Sequence, residues 1–211
     1  MARSKTGTTI DLKEACIAEA TAIIEEKGVE KLSLREVARR LGVSHQAPYK
    51  HFPSRDHILA EVLGRAYVDF AKYLEARPRS ADPDLDLGAM GVAYMQYARE
   101  HPLQYRLMFG TPLPTPDEHP GMLADARYAF SLLREGIARL HQSLRVSDAA
   151  ERNENDALFV LSVLHGLSSL MQSDVTETFE LADATVDNAT EEILRRVGVV
   201  LHSGLEKPDS P

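Results

Sequence analysis

Residues 33–52 read SLREVARRLGVSHQAPYKHF, and the order of capping, apolar and turn-forming residues in that stretch decides the fold around it. Ser33-Leu-Arg-Glu36 has capping-box spacing, in which the Ser33 hydroxyl and the Glu36 carboxylate each satisfy a backbone N–H that a helix start leaves unpartnered. Val37, Ala38 and Leu41 then fall on one helical face. Gly42 supplies the left-handed turn that a side chain would resist. Ser44 is placed to cap a second short helix from His45 to Phe52, which Pro53 ends by disfavouring helical geometry in the residue before it. Helix, glycine turn and short helix together make a helix-turn-helix. A plain helical hairpin with a solvated charged face fits the same spacing.

Working outward, Cys16, Ile17, Ala20, Ile23 and Ile24 mark one face of a preceding helix, which Gly28 ends with Lys27 in its last turn. Downstream, Ser54 opens a longer helix through Ile58, Leu59, Val62, Leu63, Ala66, Phe70 and Leu74 to Arg77-Pro78. Further helices are expected at 87–100, 102–108, 122–143, 153–173 and 184–205, with a Pro-rich loop at 110–121. No comparable run alternates with the period of a strand. The expected fold is all-α: a three-helix head with a helix-turn-helix, and a larger helical body. The expected division is a flexible basic tail at 1–10, the head at 11–53, a connecting helix at 54–77, the body at 78–206 and a flexible tail at 207–211.

The chain has 211 residues, 44% of them apolar, enough to bury a core. No apolar run approaches the ~18 residues of a membrane span, and MARSKTGTT lacks the apolar stretch of a signal peptide, so a cytoplasmic protein without a membrane partner is expected. A single cysteine, Cys16, excludes an internal disulfide and a thiolate metal cluster. The net charge of -8 argues against a polyanionic partner, but its distribution does not. Residues 1–55 carry 10 Lys and Arg against 7 Asp and Glu, and the rest carry 14 against 25. A basic head on an acidic body is what a chain needs if only its first quarter meets nucleic acid.

The residues of the second short helix suit that partner. Gln46 and His45 can bond base edges and Ala47 can meet a thymine methyl, while Tyr49, Lys50 and His51 can hold phosphates. Arg35 joins them from the first helix, with Ser33, Ser44 and Arg55 as flanking contacts. No nucleophile elbow, phosphate-binding glycine loop or paired carboxylates appears, so no enzyme is expected. A helical partner-binding scaffold is a further reading, against which His45, Gln46, Lys50 and Arg55 argue.

The string from Cys16 to Leu63 resembles the DNA-binding head of the TetR family of bacterial one-component transcriptional regulators. The marks are the Gly28 break, Leu34-Arg-Glu-Val-Ala38, Leu41-Gly-Val-Ser44, and above all Tyr49-Lys-His-Phe52 followed by Arg55-Asp56 and Leu59. Pro48 departs from the pattern, since that position more often holds a branched apolar residue, and it is expected to tilt the helix or make it irregular. His101-Pro102 through Tyr105-Arg-Leu-Met-Phe109, with Leu164-His-Gly-Leu167, is similar to family members whose C-terminal domain carries a Trp-His-Gly signature; this chain has no tryptophan. The resemblance implies a repressor released from its operator by a small apolar or amphipathic ligand. An activator or ligand-independent regulator of the same family is the alternative. Short heads imply a homodimer, built here from the last two long helices, on a near-palindromic double-stranded operator.

The effector site is sought where aromatic and methionine residues concentrate, since 11 of 13 aromatics follow residue 55. Candidate walls are Tyr67, Phe70, Tyr94, Met95, Tyr97, Tyr105, Met108, Tyr128 and Met171, each of which is equally at home in a core. His165 is either a pocket group or a hydrogen-bonded core histidine. Asp82-Pro-Asp-Leu-Asp86 lacks the glycine and terminal glutamate of a calcium loop and reads as a helix entry. The histidines show no metal-ligand spacing; no metal or cofactor is expected.

Overall fold

The computed structural model describes residues 11–146 and 149–203, so both expected tails and the end of the last expected helix at Leu205 lie outside the described residues. Every regular element among the described residues is helical. The chain divides into two compact units, one of residues 1–67 with 106–125 and one of 68–105 with 126–211.

In the first unit, α1 (Leu12–Lys27) starts at Asp11, whose carboxylate accepts from the Lys13 and Glu14 N–H groups, and buries Cys16, Ile17, Ala20, Ile23 and Ile24. Gly28, at φ 86°, closes it by donating to the Ile24 carbonyl at 2.9 Å. A 3-10 turn, Val29–Lys31, leads to α2 (Leu34–Leu41), where the Ser33 hydroxyl accepts from the Glu36 N–H at 3.2 Å. The reciprocal half of the expected capping box is missing. The Glu36 carboxylate instead takes Arg39 (2.7 Å), Lys27 (3.2 Å) and Arg40 (3.3 Å), charge-assisted bonds that outcompete a single N–H. Gly42 ends α2 in the left-handed conformation, at φ 67°. Arg40 also binds Glu19 (3.2 Å) and Glu26 (2.6 Å), pinning α2 to α1. The following helix, α3 (Arg55–Glu75), closes this core with Ile58, Leu59, Val62 and Leu63.

In the second unit, α4 (Pro83–Glu100) begins ahead of its expected start at Leu87, because Asp82 caps it by accepting from Asp84 N–H at 2.9 Å and Pro83 suits a first helical turn. Buried Asp86 is bound by buried Arg77 (2.9 Å), by Arg139 (3.1 Å), by Arg79 (3.2 Å) and by the Ser80 N–H (3.2 Å). Burial raises its pKa, but the Ser80 N–H and the guanidiniums of Arg77 and Arg79 outweigh that and hold it below the usual carboxylate range. Then follow α5 (Pro102–Gly110), which belongs to the first unit from Arg106, α6 (Pro120–Leu144) and α7 (Ala149–Met171).

The single helix expected at 184–205 is broken up. Two short helices, α8 (Val175–Thr178) and α9 (Asp183–Asp187), precede α10 (Ala189–His202). The break falls at Asn188, whose backbone N–H (3.3 Å) and side-chain amide (2.7 Å) both donate to the Ala184 carbonyl and close α9. The α10 helix lies close on α4: a Cβ at Gly91 would sit 2.3 Å from Leu194 Cδ2. Leu164, Val197 and Leu201 are buried in the chain's own core, while Leu158, Leu170, Val199 and Val200 remain exposed.

Candidate functional site

The segment from His45 to Phe52, expected as a short helix that Pro48 tilts or makes irregular, has no regular α-helix in it. It is a chain of tight turns: Ala47 N–H donates to Ser44 O (2.9 Å), Lys50 N–H to Ala47 O (3.3 Å) and His51 N–H to Pro48 O (3.0 Å), with a 3-10 turn at Pro48–Lys50. Pro48 is the reason, since it has no N–H to give the Ser44 carbonyl and its ring resists an α-helical interior. The turn is nevertheless amphipathic. Pro48 is buried and Phe52 only 1% exposed, so both anchor the segment, while Ser44, His45, Gln46, Tyr49, Lys50 and His51 are exposed and Ala47 is half-buried.

The basic side chains of the head divide into committed and uncommitted sets. Lys27, Arg39 and Arg40 are held by glutamates. Glu36 lies far below the ordinary carboxylate range, chiefly through its bonds to Arg39, so this cluster stays ionised. Arg55, read from the sequence as a phosphate anchor, donates to the Val29 carbonyl at 2.8 Å and pairs with Asp56 at 3.1 Å. That geometry ties the start of α3 to the turn before α2. Arg35 and Lys50 are exposed and have no ion partner among the described residues, and the same holds for Lys31, which the motif reading passed over. Lys31 lies outside the helix-turn-helix string, but its place two residues before the Ser33 cap is a signal for it.

Two of the candidate effector residues lie in the first unit, where the Tyr67 hydroxyl donates to the Met108 carbonyl at 3.1 Å. The second unit gathers Phe70, Tyr94, Tyr97, Tyr105 and His165. Phe70 meets Tyr94 edge-on with ring centroids 5.6 Å apart and Tyr97 at 5.0 Å. The Tyr94 and Tyr105 hydroxyls are 2.8 Å apart, and Tyr105 in turn reaches His165 Nδ1 at 2.7 Å. Burial raises the pKa of both phenols, so they are neutral hydrogen-bonding groups. Met95 accepts from Ser168 at 3.1 Å. His165 is half-buried at the outer end of the string.

Tyr128 and Met171 are not brought into this cluster. They are 49% and 39% exposed, and the Tyr128 hydroxyl binds Glu75. The sequence reading missed Tyr73, which packs on Tyr97 (5.4 Å) and His101 (5.8 Å) and donates to Glu100 at 2.8 Å. Its spacing from Phe70, one helical turn, was the available signal. Among the described residues no group of three or more His, Cys, Asp or Glu is placed to hold a metal, and no helix is long and apolar enough to cross a membrane.

Comparison with known proteins places both parts of the chain. The model of the family described as bacterial regulatory proteins, tetR family, matches residues 17–62, and that of the tetracyclin repressor-like C-terminal domain matches residues 87–197. The HTH-type transcriptional regulator Rv1816 of Mycobacterium tuberculosis is 31% identical over 121 residues, which cover 54% of this chain and 52% of that protein. The chain thus spans about half the length of the curated relatives it matches. A Rhodococcus sp. RHA1 protein of unknown function superposes with a TM-score of 0.72 at 23% identity, covering 92% of this chain and 98% of its own. A transcriptional regulator from the same organism superposes at 0.65 and 20% identity, covering 93% and 99%. At these identities the likeness shows the fold.

Proposed function

The chain belongs to the TetR family of bacterial regulatory proteins, and from that premise we propose that it is a DNA-binding transcriptional repressor, released from its operator by a small apolar or amphipathic ligand. The observation that carries the DNA-binding part is the turn at residues 44–51, which presents polar side chains outward from two buried anchors, Pro48 and Phe52. Gln46 and His45 read base edges there. Tyr49, Lys50 and His51 hold phosphates, joined by Ser33, Arg35 and Lys31, while Arg55 positions the head instead of touching DNA. So small a reading surface needs two copies on a near-palindromic site. The exposed apolar residues of α7 and α10, Leu158, Leu170, Val199 and Val200, supply a two-fold interface of helices.

For the effector, the Tyr94–Tyr105–His165 string offers neutral hydrogen-bonding groups beside the aromatic rings of Phe70 and Tyr97, the mixture small-molecule sites use. The α3 helix carries residues of both the head and this cluster. The test is fluorescence anisotropy on duplex DNA from upstream of the gene itself. Lys50→Ala should weaken every duplex alike, whereas Gln46→Ala should flatten the preference at one or two base pairs by ~1–3 kcal/mol for each bidentate hydrogen-bond pair removed. Parent-like binding by both variants at physiological salt would overturn the assignment.

A further inference from the structure

The chain between α7 and α10 is longer than a helix–helix connection needs. Such connections run ~2–8 residues, whereas here residues 172–188 separate the two helices, with α8 and α9 folded inside the excursion. The segment is ordered by its own backbone: Thr178 N–H donates to Asp174 O (2.8 Å), Phe179 N–H to Val175 O (2.9 Å) and Leu181 N–H to Thr176 O (3.1 Å). Glu180 turns it with φ 50°, a conformation that L side chains rarely adopt. Yet neither short helix buries a residue, and the large apolar side chains on either side of Glu180 face outward, Phe179 at 68% and Leu181 at 45% exposure. A folded element that displays its phenylalanine and has no core of its own has the form of a docking element.

We propose that this arm, residues 174–187, docks on the helical body of a second copy of the chain. The inference rests on the dimer reading above and extends it. Continuity points to the second copy, because the arm leaves α7 just after Leu170 and Met171, which are themselves 49% and 39% exposed and continue the exposed apolar side of that helix. Area points the same way. A stable interface takes ~800 Å² per partner. An aromatic side chain adds ~150–250 Å², so Phe179 with Leu181 supplies a substantial share of that area.

Charge argues against contact between the two arms. The arm, residues 174–187, holds five Asp and Glu and no Lys or Arg. Two such arms related by a two-fold axis repel each other, so each reaches across to the partner's helices, not to the partner's arm.

The test is sedimentation equilibrium of the full chain and of the double variant Phe179→Ser/Leu181→Ser, with far-UV circular dichroism as the control for folding, since both residues are exposed in one copy. The parent is expected to dimerise and the double variant to dissociate at least tenfold more readily with unchanged helicity. A dimeric parent matched by an equally tight double variant overturns the arm and leaves the helix interface standing. A parent that stays monomeric at high micromolar concentration overturns both. In a Phe179→Cys variant, slow or absent disulfide formation between copies is expected under mild oxidation; rapid crosslinking at that position would place arm against arm and overturn the docking on the body.

Discussion

Replacing Asp86 by asparagine is expected to destabilise the second unit by ~3–5 kcal/mol, the cost of leaving one partner of a buried ion pair uncompensated. Most of that cost falls on Arg77. Its side chain is 2% exposed, and without the carboxylate its guanidinium keeps only carbonyl partners, chiefly Leu74 at 2.6 Å. Arg79 and Arg139 are 55% and 38% exposed, so water replaces Asp86 for them and they contribute little. Urea denaturation followed by circular dichroism measures the loss directly, and on heating it corresponds to roughly 6–20 °C for a chain of this size. The acid sensitivity follows with its sign. Because the folded state holds the Asp86 pKa below its ordinary value, the carboxylate stabilises the fold above ~pH 4 and that stability is lost as pH falls toward the folded pKa. The Asn variant should lack this acid-dependent loss. Arg77 follows directly on the end of α3, so the same change should also blunt any effector response carried by that helix. A loss under ~1 kcal/mol would refute the reasoning, as would a double variant, Arg77→Met/Asp86→Leu, that recovers none of it.

Gly91→Ala should push Leu194 away and cost ~1–3 kcal/mol; stability measurements should find much of that cost relieved in a Leu194→Ala background, because the clash is with that side chain. Glu36→Gln should remove an acid-sensitive step from unfolding of the head: the depressed pKa means that Glu36 stabilises above its ordinary range and stops doing so as pH falls. A pH titration of unfolding in parent and variant checks this, and superimposable profiles would count against it. Once a ligand is identified by thermal-shift screening, Tyr105→Phe should weaken it in calorimetry by breaking the hydroxyl link between Tyr94 and His165 while leaving operator affinity unchanged. Equal ligand affinity would remove that string from the effector site.

Local physical rules made much of the head legible in the sequence. The spacing of Cys16, Ile17, Ala20, Ile23 and Ile24 specifies the buried face of α1, and Gly28 and Gly42 stop their helices because each takes a positive φ. Pro48 was legible as a departure, but a turn-only reading segment required weighing its missing N–H against the apolar anchoring by Phe52. What escaped the sequence were the choices among competing partners. Glu36 could cap Ser33 or bind three cations, and Arg55 could meet a phosphate or the Val29 carbonyl; spacing along the chain does not rank those options. Asp86 looked like one acid of a helix entry because Arg139 is distant in sequence. That Tyr128 and Met171 stand exposed, apart from the Tyr94–Tyr105–His165 string, was not legible because composition counts aromatics and methionines without saying which face of a helix they occupy.

The central claim is that the exposed turn at residues 44–51 meets DNA. Its most direct test is the salt dependence of binding to the upstream duplex, measured for the parent and for Lys50→Ala. The account predicts that log affinity falls steeply with log salt for the parent, and that the slope of the variant is shallower by roughly 2, about 0.9 for each phosphate that a Lys50 ammonium no longer neutralises in the two copies. Duplex binding that ignores salt, or identical slopes for the two proteins, would contradict it.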